Sequence, residues 1–301
     1  MPSVFRLGYV DLATPDLDAT TAYYRDVVGA VAVETAGDDA FLSVGLDHHT
    51  VALHRADRAS IRAVGLHLGL GIGIDDVAGI LAKRGIKGTL KTDARPGVPQ
   101  LLEIADIGGH TFELFPDIEA SGLGFSREGV SPLKLGHVAL ISPEAPAIVK
   151  FLTEGLGFWF TDRFEELATF VTCNRDHHVL NVIQAPFVTM HHLAFQLTDY
   201  SHQARAADLL AAESRPILWG PSRHTAGHNI ASYHYGADSA LIEFYNDLDV
   251  YLPELDICEP RPWHGDRPQR PRNWPVTQLS RWETRFEFDM TMVAFGLPDA
   301  A

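Results

Sequence analysis

Between Arg223 and Glu243 the chain gathers His224, His228 and His234, two tyrosines (Tyr233 and Tyr235) and a carboxylate within about twenty residues. The carboxylate is the most informative of these. Ala240 to Tyr245 reads as a β-strand, Ile230 to Tyr235 reads as another, and Gly236-Ala237-Asp238-Ser239 is the turn between them. A glutamate inside an apolar strand is costly to bury unless a cation or a donor meets it. Glu243 therefore either faces solvent or has a partner such as a metal ion. Two distant histidines favour the metal. His137-Val138-Ala139-Leu140 matches His192-Leu193-Ala194-Phe195, so His137 and His192 sit at equivalent places on two strands. A single strand histidine reads first as a core residue with its hydrogen bonds satisfied, but three metal-capable residues at related places read as a ligand set. Two imidazoles and a carboxylate suit a divalent first-row metal. They leave positions open for substrate and oxygen, as in non-heme Fe(II) sites.

The elements that must position these residues repeat. Phe5–Leu12 alternates like a strand, Ala19 to Val28 reads as a helix ended by Gly29, and three short strands follow as far as His54. The same β-α-β-β-β order returns from Leu66, from Lys134 and from His191, giving four units of about 50–60 residues. Asp106–Phe115 resembles Gly236–Tyr245, so the units pair into two similar domains, 1–128 and 129–301, with a linker near Pro116–Pro132. The fold class is α+β. In the N-terminal domain the positions matched to the ligands are Tyr9, His67 and Glu113. One ligand is missing, so no metal is expected there and that half is read as structural. Pro260 to Pro275, rich in proline and arginine with Trp263 and Trp274, reads as an irregular arm pinned by its tryptophans.

Composition bounds the function. The chain has 301 residues, 46% hydrophobic, and a net charge of −15, which argues against nucleic acid and anionic membranes as partners. No apolar run is long enough to span a bilayer, and the N-terminus lacks the pattern of a secretion signal. Two cysteines, Cys173 and Cys258, are too few for a disulfide framework, and a cytoplasmic enzyme or binding protein is expected.

Together these residues resemble a family. The four βαβββ units with one active half, His137 and His192 on first strands, Arg223-His224 with Tyr233 nine residues on and Glu243 ten further, and the segment Cys173-Asn174-Arg175-Asp176-His177-His178 are similar to type I extradiol ring-cleavage dioxygenases of the vicinal oxygen chelate superfamily. Where the family often has Asp-Pro-x-Gly before the glutamate, this chain has Gly236–Ser239, which bears on loop shape more than on ligation. The resemblance implies that each domain is a curved mixed sheet enclosing a cleft. It implies Fe(II), with Mn(II) served by the same donors, and ring opening of a catechol beside its hydroxyls by O2, giving a muconic semialdehyde-type product. It implies that His178 lies beside bound oxygen and that His224 and Tyr233 hydrogen-bond the substrate oxygens. It also implies a homo-oligomer, a tetramer or octamer.

The expected cleft is apolar, with Phe187, Val182, Ile183 and Trp219 as walls and Tyr251 as a lid. Strand alternation turns His191 away from His192 and His234 away from Tyr233, and His177 and His228 are left as outer-sphere or surface residues. The rival readings are another metal enzyme on this scaffold, glyoxalase-like or hydroquinone-cleaving, and a non-enzymatic binding protein lacking the ligand set.

Overall fold

A computed structural model of the protein describes residues 3–259, 261 and 266–282. Trp263 of the arm lies outside the described residues. The first repeat comprises β1 (Val4–Thr14), α1 (Leu17–Tyr23), β2 (Val31–Ala36), β3 (Asp39–Ser43) and β4 (Val51–Arg55). The second comprises β5 (Ser60–Leu68), α2 (Ile74–Ala82), β6 (Thr89–Arg95), β7 (Val98–Ile107) and β8 (His110–Phe115). The third is β9 (Lys134–Ser142), α3 (Ala145–Lys150), β10 (Trp159–Phe164), β11 (Ala168–Thr172) and β12 (Leu180–Gln184). The fourth is β13 (Thr189–Gln196), α4 (Tyr200–Ala212), β14 (Trp219–Arg223), β15 (Ile230–Tyr235) and β16 (Leu241–Asn246).

Repeats pair within a sheet. The first sheet runs β2-β3-β4-β1-β5-β8-β7-β6, and the second runs β14-β15-β16-β13-β9-β12-β11-β10. In each, the first strands of two repeats meet antiparallel at the centre, and each has the last strand of its own repeat as parallel neighbour. The result is an α+β fold of two similar mixed sheets, curled into half-barrels. The arm is less irregular than its composition suggests. After β17 (Val250–Leu252) and β18 (Ile257–Glu259), β19 (Arg272–Trp274) joins the edge of the second sheet beside β10, with the Trp274 ring buried.

Helices α1 and α3 each run on into a single wider π turn, Tyr24–Val28 and Phe151–Gly155. The first ends at Gly29, whose φ is 87° and where a Cβ would lie 2.5 Å from the Glu128 carbonyl oxygen, so no larger residue fits. One continuous apolar core spans both halves, with Phe112 against Phe151 across them. Period-2 alternation then fixes the site. On β16, Ile242 and Phe244 enter that core, whereas Leu241, Glu243 and Tyr245 face the concave side of the second sheet.

Candidate metal centre

Three strands of the second sheet bring the proposed ligands together. Ala194 on β13 pairs with both His137 on β9 and Glu243 on β16, so a single row across the sheet carries two of the donors. His137 Nε2 lies 3.2 Å from His192 Nε2 and 3.1 Å from Glu243 Oε2, and His192 Nε2 lies 3.1 Å from the same oxygen. All three residues are buried. Donors about 2.1 Å from one ion and about 90° apart are separated by close to this distance, so the triangle fits one face of a six-coordinate divalent metal. Among the described residues it is the single group of three or more His, Cys, Asp or Glu side chains whose donor atoms converge this way.

The surroundings orient the donors. His192 Nδ1 is 2.6 Å from His191 Nδ1, a contact that leaves His192 Nε2 as its metal-facing nitrogen. This corrects the alternation argument for His191. The β9–β13 register slips at that residue, Met190 lying opposite Leu140 and His192 opposite Ala139, and such a bulge turns two consecutive side chains to one face. His191 consequently lines the same cavity as His192. Glu243 Oε1 accepts from Asn229 Nδ2 at 2.8 Å, and Oε2 accepts from the Tyr233 hydroxyl at 2.9 Å. Burial opposes ionisation of Glu243, but the two histidines outweigh it and hold the carboxyl well below its usual range.

The triad lies in a cavity of about 410 Å³ that His178, His224 and Tyr233 also line. The rings of Trp219, His224 and Tyr233 are near-parallel and stacked on one another, 5.0 Å apart for the first pair and 5.8 Å for the second, and line one side of the cavity. His224 is pushed down to about 4, chiefly by burial, and its Nε2 is buried without a protein partner. Burial, then the Glu243 charge, raises the Tyr233 phenol well above its usual range, so it stays protonated. Burial, then His137 and His177, pushes His178 far down, and its ring lies 4.2 Å from that of His137.

Elsewhere the lining is mostly apolar, with Phe164, Leu167, Phe170, Ile183 and Phe187, Leu279 contributed by the C-terminal segment after the arm, and Asn181 and Gln184 as its other polar members. Val182, taken as a wall residue, alternates into the core instead, and Tyr251 hydrogen-bonds Asp256 outside the cavity. His177 and His228 are fully buried within networks of carboxylates and arginines rather than at the surface. His234 turns away from Tyr233 and bonds Tyr23 at 2.7 Å.

Known proteins resemble this chain over most of its length. No family model matches it. A metapyrocatechase from Pseudomonas sp. strain CF600 is 24% identical over 77% of this chain and 82% of its own. A manganese-dependent 2,3-dihydroxybiphenyl 1,2-dioxygenase from Geobacillus genomosp. 3 is 23% identical over 73% and 78%. Among solved structures, an Mn(II)-bound glyoxalase from Novosphingobium aromaticivorans superposes with a TM-score of 0.82, at 26% identity over 95% of this chain and 93% of that one. Over most of its length this chain is therefore similar to proteins named as extradiol dioxygenases.

The N-terminal half of this chain is a second sheet of the same plan with different chemistry. Tyr9 and Glu113 occupy the places of His137 and Glu243, both in line with Gly65 where the other half has Ala194. By the same register the counterpart of His192 is Ala63, opposite Asp11, and not His67. The match to His67 followed local sequence and missed by four residues. His67 instead meets Arg6 and the Pro116 carbonyl. Arg95 supplies the cation: its guanidinium donates to both Glu113 oxygens and to Asp11, and the Tyr9 hydroxyl donates to Glu113 at 2.5 Å. Sequence reading also passed over Asp47-His48-His49, the counterpart of Asp176-His177-His178, although the repeated Asp-His-His was there to find.

Proposed function

We propose that this chain is an extradiol dioxygenase that opens a catechol ring beside its paired hydroxyls with O2, using a divalent metal held by His137, His192 and Glu243. Fe(II) is the expected ion, and Mn(II) suits the same donors. The observation that carries this reading is the convergence of the two-histidine, one-carboxylate face with His178, His224 and Tyr233 on one largely apolar cavity. A metal bound there would lower the pKa of chelated ring hydroxyls, so that the catecholate forms near neutral pH.

The chain's own residues do the rest. The stacked Trp219, His224 and Tyr233 rings give an aromatic ligand an aromatic side of the cavity to pack against. His224, neutral and with Nε2 unpaired, presents a hydrogen-bonding atom to a ring oxygen. Tyr233, kept protonated, is a donor that stabilises a deprotonated hydroxyl and can return a proton as the ring opens. His178, also neutral, faces the side on which oxygen must react and moves protons there. The apolar walls exclude water from these steps.

Among the described residues that line the cavity there is no lysine or arginine, so the ring substituents are uncharged. We place the domain boundary at residues 128/129, the protein in the cytoplasm, and its assembly as a homo-oligomer. No helix among the described residues is long and apolar enough to cross a membrane. The glyoxalase neighbour makes a metal-dependent isomerase the second reading. An oxygen electrode separates the two. Iron-loaded protein with catechol or 2,3-dihydroxybiphenyl should consume O2 and form a yellow ring-opened product, whereas no uptake across mono- and bicyclic catechols refutes the dioxygenase reading.

A further inference from the structure

The cavity has two sides. Trp219, His224 and Tyr233 line one, beyond β16, and strands β10, β11 and β12 line the other. On those three strands the lining residues Phe164, Ala168, Phe170 and Ile183 are apolar, and Gln184, exposed, directs its side-chain NH2 to the Pro143 carbonyl. Asn181 on β12 is different. It lines the cavity while only 8% exposed, and its side-chain oxygen has no hydrogen-bond partner among the described residues. A buried amide oxygen left in this way costs free energy unless a bound molecule meets it.

Register fixes where the amide stands. Asn181 lies opposite Ala139 on β9, and Ala139 lies opposite His192 on β13, so the three form one row across the sheet. Neighbouring strands are about 4.8 Å apart, which puts the Asn181 backbone roughly 10 Å from that of His192. The small Ala139 side chain between them leaves space for a ring held at the triad together with a short substituent. The N-terminal sheet shows that the fold does not require this amide. There Tyr9 stands for His137, and by the same register Ala52 on β4, opposite Asp11 and Phe41, stands for Asn181, opposite Ala139 and Phe170. Alanine meets the strand pairing at this place equally well, so the asparagine is not there to hold the strand.

We propose that Asn181 is a specificity-determining residue that selects catechols carrying a neutral hydroxyl on a short ring substituent. A hydroxyl both donates and accepts, so it satisfies either end of the amide. A hydrocarbon substituent of the same size leaves the amide without a partner, and a site built for a hydroxyl discriminates against such an analogue. The inference rests on the catechol binding proposed above and names the class of substituent.

The test pairs hydroxymethylcatechols with ethylcatechols, substituted next to the paired hydroxyls or one carbon further on. Members of a pair match in size and differ by one hydroxyl. Binding is titrated without oxygen on the full, iron-loaded chain, and turnover is followed by oxygen uptake. The wild-type protein should favour the hydroxymethyl member of one pair in both Kd and kcat/KM. Asn181→Leu, similar in volume, should shift that ratio toward the ethyl member by about tenfold or more. Asn181→Ala, which restores the residue of the matching strand, should shift it in the same direction and guards against a folding defect in the leucine variant. Preference for the ethyl member of both pairs in the wild-type protein, or a ratio unchanged in both variants, overturns the proposal. So does a kcat lowered alike for every catechol with the ratio intact, which would place Asn181 at the oxygen rather than at the substituent. A binding preference abolished by the variants, with no oxygen uptake on any catechol, would uphold the selectivity and refute the ring cleavage instead.

Discussion

At the scale of single residues, the site depends on groups whose charge state is set by burial and by one or two neighbours. His191 illustrates this. It offers no ligand atom to the triangle but contacts the far nitrogen of one that does. His191→Phe is expected to keep all three ligands and weaken metal affinity by about 10–100-fold, the usual cost of losing such a partner, as read by competition with a chelating dye. Tyr233→Phe removes a donor while leaving the ligands in place. Metal content should be normal and kcat reduced by about 10–100-fold, and an unchanged kcat would reduce the hydroxyl to packing. His177 carries a pH signature. Its folded value of about 9 lies above the usual imidazole value of about 6.5, so its stabilising contribution is whole below pH 6.5 and is lost as pH rises through 9. Urea unfolding should show stability falling by on the order of 3 kcal/mol across that window. In His177→Leu the decline should be absent.

At the scale of elements, the two sheets share a plan and differ in what fills one row of it. In the second sheet the row holds an imidazole and a carboxylate with a further imidazole beside it. In the first, the same row holds Tyr9 and Glu113, and Arg95 from the end of β6 meets the carboxylate. A buried pair broken from one side leaves an uncompensated charge. Arg95→Met strands Glu113 and Asp11 together, so a loss of about 3–5 kcal/mol in unfolding free energy is expected. Oxygen uptake by the folded fraction should remain, because the row lies in the other sheet. Loss of uptake in protein that is still folded would mean that the first sheet takes part in turnover.

At the scale of the whole molecule, the arm decides more than its composition suggests. Its β19 caps the sheet edge at β10, Arg261 reaches Asp162, and Leu279, just after it, enters the cavity wall. The wall so completed is largely apolar and carries no lysine or arginine among the described residues, so an ionised ring substituent would be desolvated against it without a charged partner. That costs several kcal/mol. A carboxylated catechol should therefore show kcat/KM at least about 100-fold below that of a neutral catechol of similar size. Comparable values for the two would mean that a cation reaches the cavity.

The sequence by itself determined the number and order of the repeats, the strand borne by each ligand, and the spacing from His224 through Tyr233 to Glu243. These follow from periodicity and chain distance, which are local properties. It could not determine register. The slip at His191, the exchange of His67 for Ala63 as the counterpart of His192, and the inward turn of Ile183 rather than Val182 depend on which residue of a distant strand lies opposite. Hydrogen bonding across the finished sheet sets that pairing, and one residue of slip changes the face. Likewise, His177 and His228 read as incidental in one dimension. Only folding, which carries Asp162, Asp249 and the arm to them, turns them into a buried charge network.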